Sequence, residues 1–555
     1  MANGTRRVVI VGASAAGLRC AARLARLRPD WAVTVVEQRE VFSYAACGLP
    51  YVLSGDVDEA AALRRTSDGA LRDAAYFAAV KGVTVLAGRR AAAIDAAGRA
   101  LTVAGPDGRA ERLEWDELVL ATGAAARRLP GQPDHPRVRS FHVLEDLEPL
   151  LAGLRRGAIA RVAIAGAGLV GCELAEAFRA LWGAEVVLIE AAGAPLPGVV
   201  DAEIGAVVAA TLRRAGVELR TGAPVAAISA GDERVEFTAA GERLGADALV
   251  VAVGVRPEVA LARDAGIAVG PTGAIAVDDR LATSVPHVWA IGDCVEVRRL
   301  PDGGATCMPL GSLANRQGRT LANILAGRDE RFAGAVGAVA AKVFDLNVAA
   351  TGLTRARAEA LGLAARSVWI TAHDRAHYWP EAKEIVIHLV YEAATRRVLG
   401  VQAVGAGEVA KRVDVASSLI ARGADLAALA ELEQAYAPPY APAIDPLATA
   451  AFAAMNQEDG LVARRPDDLQ PGDRLLDVRH PGERAGRPIA AAATVPLEEL
   501  RAALPLPDGA PWLAVCERGT RSAEAARLVR AAGGSASYLG GGLQLRAMMG
   551  LEDGP

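Results

Sequence analysis

The chain opens with a pattern that few folds can host. A strand-like Val8-Val9-Ile10-Val11 runs into Gly12-Ala13-Ser14-Ala15-Ala16-Gly17, an amphipathic stretch follows through Leu27, and a second strand ends in Val35-Val36-Glu37. This is a βαβ unit in which turn glycines let a pyrophosphate approach backbone N–H groups at a helix N-terminus, while Glu37 can accept from ribose hydroxyls. Ser14 stands at the middle glycine position. The pattern returns as Val162-Ala163-Ile164-Ala165, Gly166-Ala167-Gly168-Leu169-Val170-Gly171, a helix expected from Cys172 to about Leu181, and the strand Glu185–Ile189 ending at Glu190. The second copy has all three glycines and an acid at the expected distance. Glu190 suits a free 2′-hydroxyl and repels a 2′-phosphate, and Ala191 and Ala192 supply no arginine, so this site favours NADH over NADPH. Two such units imply an α/β chain with two Rossmann-like dinucleotide domains.

Length and charge narrow the rest. At about 100–200 residues per domain, 555 residues make three or four domains. The net charge of -4 provides no broad basic surface, so neither nucleic acid nor an anionic membrane is expected as a partner. No apolar run is long enough to span a bilayer, and the N-terminus enters a strand without a long apolar leader. Six scattered cysteines form neither a disulfide framework nor a paired metal-ligand spacing, which fits a reducing compartment. The expectation is a cytoplasmic protein without a metal site.

Leu118-Val119-Leu120-Ala121-Thr122-Gly123-Ala124 and Val288-Trp289-Ala290-Ile291-Gly292-Asp293 flank the second fingerprint. They resemble the two accessory flavin motifs of the pyridine nucleotide-disulfide oxidoreductase family, in which Thr122, Gly123 and Asp293 would contact FAD. Their order implies an FAD domain interrupted by an NAD domain. Residues 1 to about 450 further resemble the single-cysteine branch of that family: CoA-disulfide reductases, CoA-persulfide or polysulfide reductases, NADH oxidases and NADH peroxidases. The segment carrying this resemblance is Ser43-Tyr44-Ala45-Ala46-Cys47-Gly48-Leu49-Pro50-Tyr51. Five residues beyond Cys47 stands Val52, so no local disulfide partner exists. A lone thiol beside a flavin can hold a mixed disulfide or a sulfenate, and the start of a helix would favour its thiolate. Cys20, Cys172, Cys294 and Cys307 are expected to be structural. One departure is Ala46, where the branch usually has asparagine.

The resemblance extends downstream. Pro309–Arg319 is similar to the segment passing under the flavin, with Asn315 near substrate, and Val343–Gly352 to the start of a dimerisation domain. Tyr378 and Tyr436 match the segments carrying two tyrosines donated across the dimer, which makes them candidate proton donors to a departing CoA thiolate. Arg19, Arg23 and Arg26 lie at i, i+4 and i+7 on one helix face, the face that receives CoA in CoA-disulfide reductases. Ser43 is a further candidate substrate contact. Ile444 replaces a lysine found near the second tyrosine in those enzymes.

After Asn456-Gln457-Glu458-Asp459-Gly460 the chain restarts with Arg474-Leu475-Leu476-Asp477-Val478-Arg479 and runs through Trp512–Cys516, a helix over 522–531, and Tyr538–Leu543. This small α/β domain resembles the rhodanese family, with Cys516-x-x-Gly519-x-Arg521-Ser522 as its persulfide loop. Backbone N–H groups and Arg521 would stabilise sulfur anions there. Gly486-Arg487-Pro488-Ile489 replaces the usual Gly-His-Ile.

The expected organisation is FAD domain 1–150, NAD(P) domain 151–272, FAD domain again 273–327, dimerisation domain 328–452, linker 453–462 and rhodanese domain 463–555. The resemblance implies a homodimer in which electrons pass from NADH through FAD to sulfur at Cys47. CoA persulfide, polysulfide or CoA disulfide is the expected acceptor, and CoA a substrate or bound ligand. The first alternative is an NADH oxidase cycling through a sulfenate. Ala15 stands where NADH peroxidases carry a histidine, which argues against peroxidase. A sulfur-sensing carrier protein is the minor alternative from another class.

Overall fold

The computed structural model describes residues 5–490, 492–507 and 509–552. Its chain divides into two compact units, Met1–Gly166 with Ala177–Glu185 and Val225–Ala335, and Ala167–Glu176 with Val186–Pro224 and Val336–Pro555.

In the first unit the opening strand Arg7–Val11 is buried on both faces, and its apolar run pairs in parallel with Ala32–Val36 on one side and Glu117–Leu120 on the other. Val288–Ala290 and Thr84–Leu86 complete a five-stranded parallel sheet. The strands of both flavin-type motifs are therefore immediate neighbours, which aligns their C-terminal ends with the first glycine turn. The helix Ala15–Leu27 buries Leu18, Cys20, Ala21 and Leu24. It lies against the helix Gly311–Leu325, where a β-carbon on Gly318 would stand 2.4 Å from the Ala16 carbonyl oxygen; only glycine permits this approach. Arg161–Ala165, which leads into the second fingerprint, pairs in parallel with Ala248–Val251.

The second unit takes residues 169–176 of the helix Leu169–Ala180, which begins three residues before the expected Cys172. A five-stranded antiparallel sheet, formed by Val339–Val343, Leu346–Gly352, Val398–Gly405, Glu384–Glu392 and Ala365–His373 in that spatial order, carries the middle of this unit. The helix Pro446–Glu458, capped by the Asp445 side chain, takes up most of the stretch expected to be a linker, because Ala448, Ala450, Ala451 and Ala454 are buried. Only 459–462 of that stretch lie outside regular structure. The C-terminal domain has a five-stranded sheet in the order Ala463–Arg464, Ala536–Leu539, Trp512–Val515, Arg474–Asp477, Ala493–Thr494, parallel throughout. It is docked on the antiparallel sheet: Gly541 N donates to Trp369 O at 3.0 Å and Thr371 Oγ1 to Gly541 O at 2.7 Å. Among the described residues no helix is long and apolar enough to cross a membrane, and no group of His, Cys, Asp and Glu is arranged to hold a metal ion.

Candidate active site

The first glycine turn is as tight as a phosphate cradle requires. Gly12 has φ +111°, and a β-carbon there would stand 2.2 Å from Ala121 O; one on Gly17 would stand 2.0 Å from Gly12 O. Ser14 is the N-cap of the helix and makes no side-chain cap bond. Glu37 is buried and accepts from Ala13 N (2.8 Å) through one oxygen and from Arg39 N (3.0 Å) through the other. Its carboxylate therefore braces the turn, a role that motif spacing does not reveal. Thr122 donates to Glu258 O at 2.6 Å, and Gly123 has φ +72°.

Gln317 was not anticipated from the sequence. It is buried and accepts from Gly292 N at 2.6 Å, while its Nε2 has no partner among the described residues. Next to Gly292, burial pushes the Asp293 carboxyl above its ordinary range, with His142 opposing. A buried amide donor without an acceptor and a desolvated carboxyl are what a polar flavin chain would satisfy, so these residues fit FAD.

Cys47 is exposed within a 3₁₀ turn, Ala46–Gly48, that leads into the five-residue helix Leu49–Leu53. That helix is too short for a strong dipole. The 15-residue helix Gly311–Leu325 supplies a better one, since a β-carbon on Gly311 would be 4.0 Å from Cys47 Sγ, at that helix's first residue. Asn315 is exposed one turn on and donates to Gly311 O at 2.8 Å. Ser43, the candidate substrate contact, lies four residues before Cys47. It is buried in the left-handed region (φ +56°), and its N–H donates to Ala13 O at 3.2 Å. Cys20, Cys172 and Cys294 are buried, and burial pushes the first two thiols up to about 12. Half-buried Cys307 is pushed up to about 11, which leaves it a protonated thiol.

Arg19 and Arg26 are exposed on the first helix, and Arg23 donates from Nε to Asn323 Oδ1 at 3.0 Å. Partial desolvation, then Arg319 and Arg328, holds the Arg23 guanidinium below its ordinary range. The basic face is thus wider than the three helical arginines, because the helix Gly311–Leu325 and the loop after it contribute cations of their own.

At the second fingerprint, Gly166 has φ +101° and would place a β-carbon 2.5 Å from Ala252 O. Gly171 is buried in the helix. In the second unit, Gly168 faces open space, and Glu190 repeats the bracing seen at Glu37 by accepting from Ala167 N and Ala192 N, each at 2.8 Å. Tyr378 and Tyr436 are both exposed and adjacent. A hydrogen bond with Tyr436, followed by desolvation, raises the Tyr378 hydroxyl above its ordinary range, so it is protonated at neutral pH.

Cys516 is buried at the end of Trp512–Val515, and its sulfur receives hydrogen bonds from Gly519 N (3.2 Å) and Ser522 N (3.3 Å). Arg521, expected to help stabilise sulfur anions in this loop, commits its fork to Glu483 at 2.6 and 2.7 Å. That pairing holds the Glu483 carboxyl down to about 2. A depressed carboxyl contributes stability above its unfolded range and loses it as pH falls through the folded value; partial exposure keeps the amount small. The urea midpoint of the wild type is therefore expected to exceed that of Glu483→Gln near about pH 6, and the gap to close toward about pH 2. A gap independent of pH would show that the carboxylate's charge is not what holds the loop.

A doubly used Rossmann pattern with flavin-type accessory turns and a thiol at a helix start defines a dinucleotide-dependent oxidoreductase. Residues 6–318 match the family described as pyridine nucleotide-disulphide oxidoreductase, and residues 339–448 match its dimerisation domain. The chain belongs to this family, and membership implies FAD and a nicotinamide nucleotide. A CoA-dependent NAD(P)H sulfur oxidoreductase of Pyrococcus furiosus is 34% identical over 446 residues, covering 80% of this chain and 97% of that protein. The solved structure of an NAD-dependent persulfide reductase from A. fulgidus is similar with a TM-score of 0.93 and 37% identity, covering 97% of this chain and 99% of the other. Reduced Bacillus anthracis CoADR-RHD gives 0.91 and 31%, covering 98% of each chain.

Proposed function

We propose that this protein is an NADH-driven reductase of CoA persulfide, polysulfide or CoA disulfide, working through Cys47 and carrying a rhodanese-like sulfurtransferase domain over 463–555. The observation that carries the reading is the Cys47 thiol, exposed at the start of the helix Gly311–Leu325, in the unit whose glycine turn fits FAD. Bound FAD would accept hydride equivalents from the nicotinamide and make an electron pair available to sulfur.

The chain's own residues do the rest. Cys47 as thiolate attacks a substrate sulfur, releasing a thiolate or hydrosulfide and forming a mixed disulfide or persulfide on Cys47. The helix start at Gly311 favours the thiolate. Arg19, Arg23 and Arg26 suit the phosphates of CoA, and Tyr378 and Tyr436 supply protons to the departing thiolate, donated across a homodimer. Glu37, Thr122, Gly123 and Asp293 belong to the FAD site in this reading, and Gly166, Gly168, Gly171 and Glu190 to the NADH site. The domain limits 1–150, 151–272, 273–327 and 328–452, and a cytoplasmic location, complete the proposal. The relatives' names, a CoA-dependent sulfur oxidoreductase and a persulfide reductase, support the sulfur chemistry over an NADH oxidase.

Anaerobic oxidation of NADH with CoA persulfide, inorganic polysulfide and CoA disulfide in turn tests it. At least one is expected to sustain turnover, with kcat/KM for NADH roughly tenfold or more above NADPH, because Glu190 repels a 2′-phosphate. Turnover only in air would replace sulfur reduction with the oxidase.

A further inference from the structure

We infer that Arg412 is a positioning residue for the tyrosine pair, holding the segments of Tyr378 and Tyr436 together so that the two hydroxyls act as one proton donor. This rests on the proposed role of both tyrosines in protonating the departing thiolate. Both side chains are exposed, and neither stands on a helix or a strand. Tyr378 lies in the turn that joins the strands Ala365–His373 and Glu384–Glu392, and Tyr436 in the stretch between the helices Leu426–Ala430 and Pro446–Glu458. An exposed ring in such a segment has little packing of its own to fix it, so its place depends on what holds the ends of the segment.

One buried guanidinium holds both. Arg412, on the helix Ala410–Ile420, is 1% exposed, and each of its three nitrogens is committed to a different segment. Nη2 donates to Asp374 O at 2.5 Å, at the first residue of the Tyr378 turn. Nε donates to Asp445 Oδ2 at 3.1 Å, at the residue that ends the Tyr436 stretch and caps the next helix through Leu447 N (2.9 Å). Nη1 donates to Glu408 O at 2.9 Å and to Glu408 Oε2 at 3.0 Å, just before its own helix. Asp374 is the clasp of its turn: its N–H donates to Lys383 O at 2.9 Å, and its carboxylate accepts from Lys383 N (3.0 Å) and Glu408 N (3.1 Å). Nearer the rings, Ala376 N donates to Pro438 O at 3.3 Å, which joins the two segments within two residues of each tyrosine.

A guanidinium is planar with its nitrogens at fixed spacing, so the separation of Asp374 O from Asp445 Oδ2 is set by the shape of one side chain. The tyrosine hydroxyls hydrogen-bond to each other, and an O–H···O bond needs its oxygens within about 3 Å. Slack between the two segments is therefore felt first at the pair. Lysine at 412 keeps a positive charge opposite Asp445, which avoids leaving a buried carboxylate unpaired. It carries all its donors on one nitrogen, however, and cannot serve three separate segments. Arg412→Lys should thus fold with a loosened tyrosine pair.

The test is a double-mutant cycle in the full chain, read as anaerobic kcat with NADH and either CoA disulfide or CoA persulfide. Arg412→Lys is expected to lower kcat roughly tenfold, with KM for NADH and the rate of flavin reduction by NADH unchanged. The alkaline limb of kcat, where Tyr378 loses its proton, moves to lower pH, because the bond from Tyr436 that raises it is slackened. The other titratable ring at Tyr378, His377, stands edge-on with centroids 5.4 Å apart and is left in place by the substitution. The pair variant Tyr378→Phe with Tyr436→Phe lowers kcat by itself, and adding Arg412→Lys to it costs little more. Asp445→Asn, which keeps the helix cap and weakens the bond from Arg412, carries the same cycle if the lysine variant does not fold. Wild-type kcat in the Arg412→Lys and Asp445→Asn variants, additive losses in the cycle, or an unmoved alkaline limb overturns the inference and leaves the tyrosine role standing. Wild-type kcat in the tyrosine pair variant overturns the tyrosine role and the inference with it. Turnover with neither acceptor overturns the reductase reading and both.

Discussion

Cys47→Ser is expected to lower NADH-driven reduction of the sulfur acceptor by roughly a thousandfold or more, while flavin reduction by NADH stays near the wild-type rate. The two halves separate because Cys47 lies on the sulfur side of the electron path, whereas Glu37, Gln317 and Asp293, which shape the proposed flavin site, are untouched. The serine hydroxyl is nearly isosteric but remains protonated at neutral pH, and even the helix start at Gly311 cannot make it a sulfur-like nucleophile. Anaerobic steady-state turnover reports the first half, and rapid mixing of oxidised protein with NADH under nitrogen the second. Sulfur reduction that survives the substitution would transfer the chemistry to another group. Among the other thiols, burial holds Cys20, Cys172, Cys294 and Cys307 protonated, which leaves Cys516 as the alternative to examine.

Gly12→Ala carries the second large effect. At φ +111° any β-carbon is strained, and here it would also stand 2.2 Å from a backbone oxygen of Ala121, which has no flexible end to move aside. Strain and overlap together cost about 3 kcal/mol or more. The expected protein loses flavin on purification and melts several degrees lower, read by flavin absorbance per chain and by thermal denaturation. Gly168→Ala is the internal comparison, because nothing lies within 4 Å of the position its β-carbon would take, so fold and flavin content should be retained. Full flavin occupancy in Gly12→Ala would mean that the first glycine turn is not the pyrophosphate cradle.

Part of this architecture could be read before any coordinates. Two apolar strands, each ending in a glycine turn and each followed by a helix and an acid about 20 residues on, specify local geometry by steric rules alone. The helices Ala15–Leu27 and Thr520–Ala531 follow from the same kind of pattern. The stretch 453–462 misled because Asn456 to Gly460 is polar, although buried alanines on the preceding turns continue the helix to Glu458. Ser43 is a candidate substrate contact through the resemblance of its segment, which says nothing of its backbone. The fold turns its backbone into the left-handed region and ties it to the glycine turn.

The sequence by itself determined the two nucleotide-type turns, the isolation of Cys47 from any local cysteine, and a C-terminal α/β domain with a cysteine loop between a strand and a helix. These are properties of residues within a few turns of one another, where backbone sterics and hydrophobic period decide the outcome. Only the tertiary structure decided that Gln317 braces Gly292, that Gly311 rather than the short helix after Cys47 provides the nearby long-helix start, and that Arg319 and Arg328 broaden the basic face. It also decided that Arg412 joins the segments of the two tyrosines through Asp374 and Asp445. Each of these joins residues tens to hundreds of positions apart, and such distances are set by how sheets and helices pack, which no local pattern records.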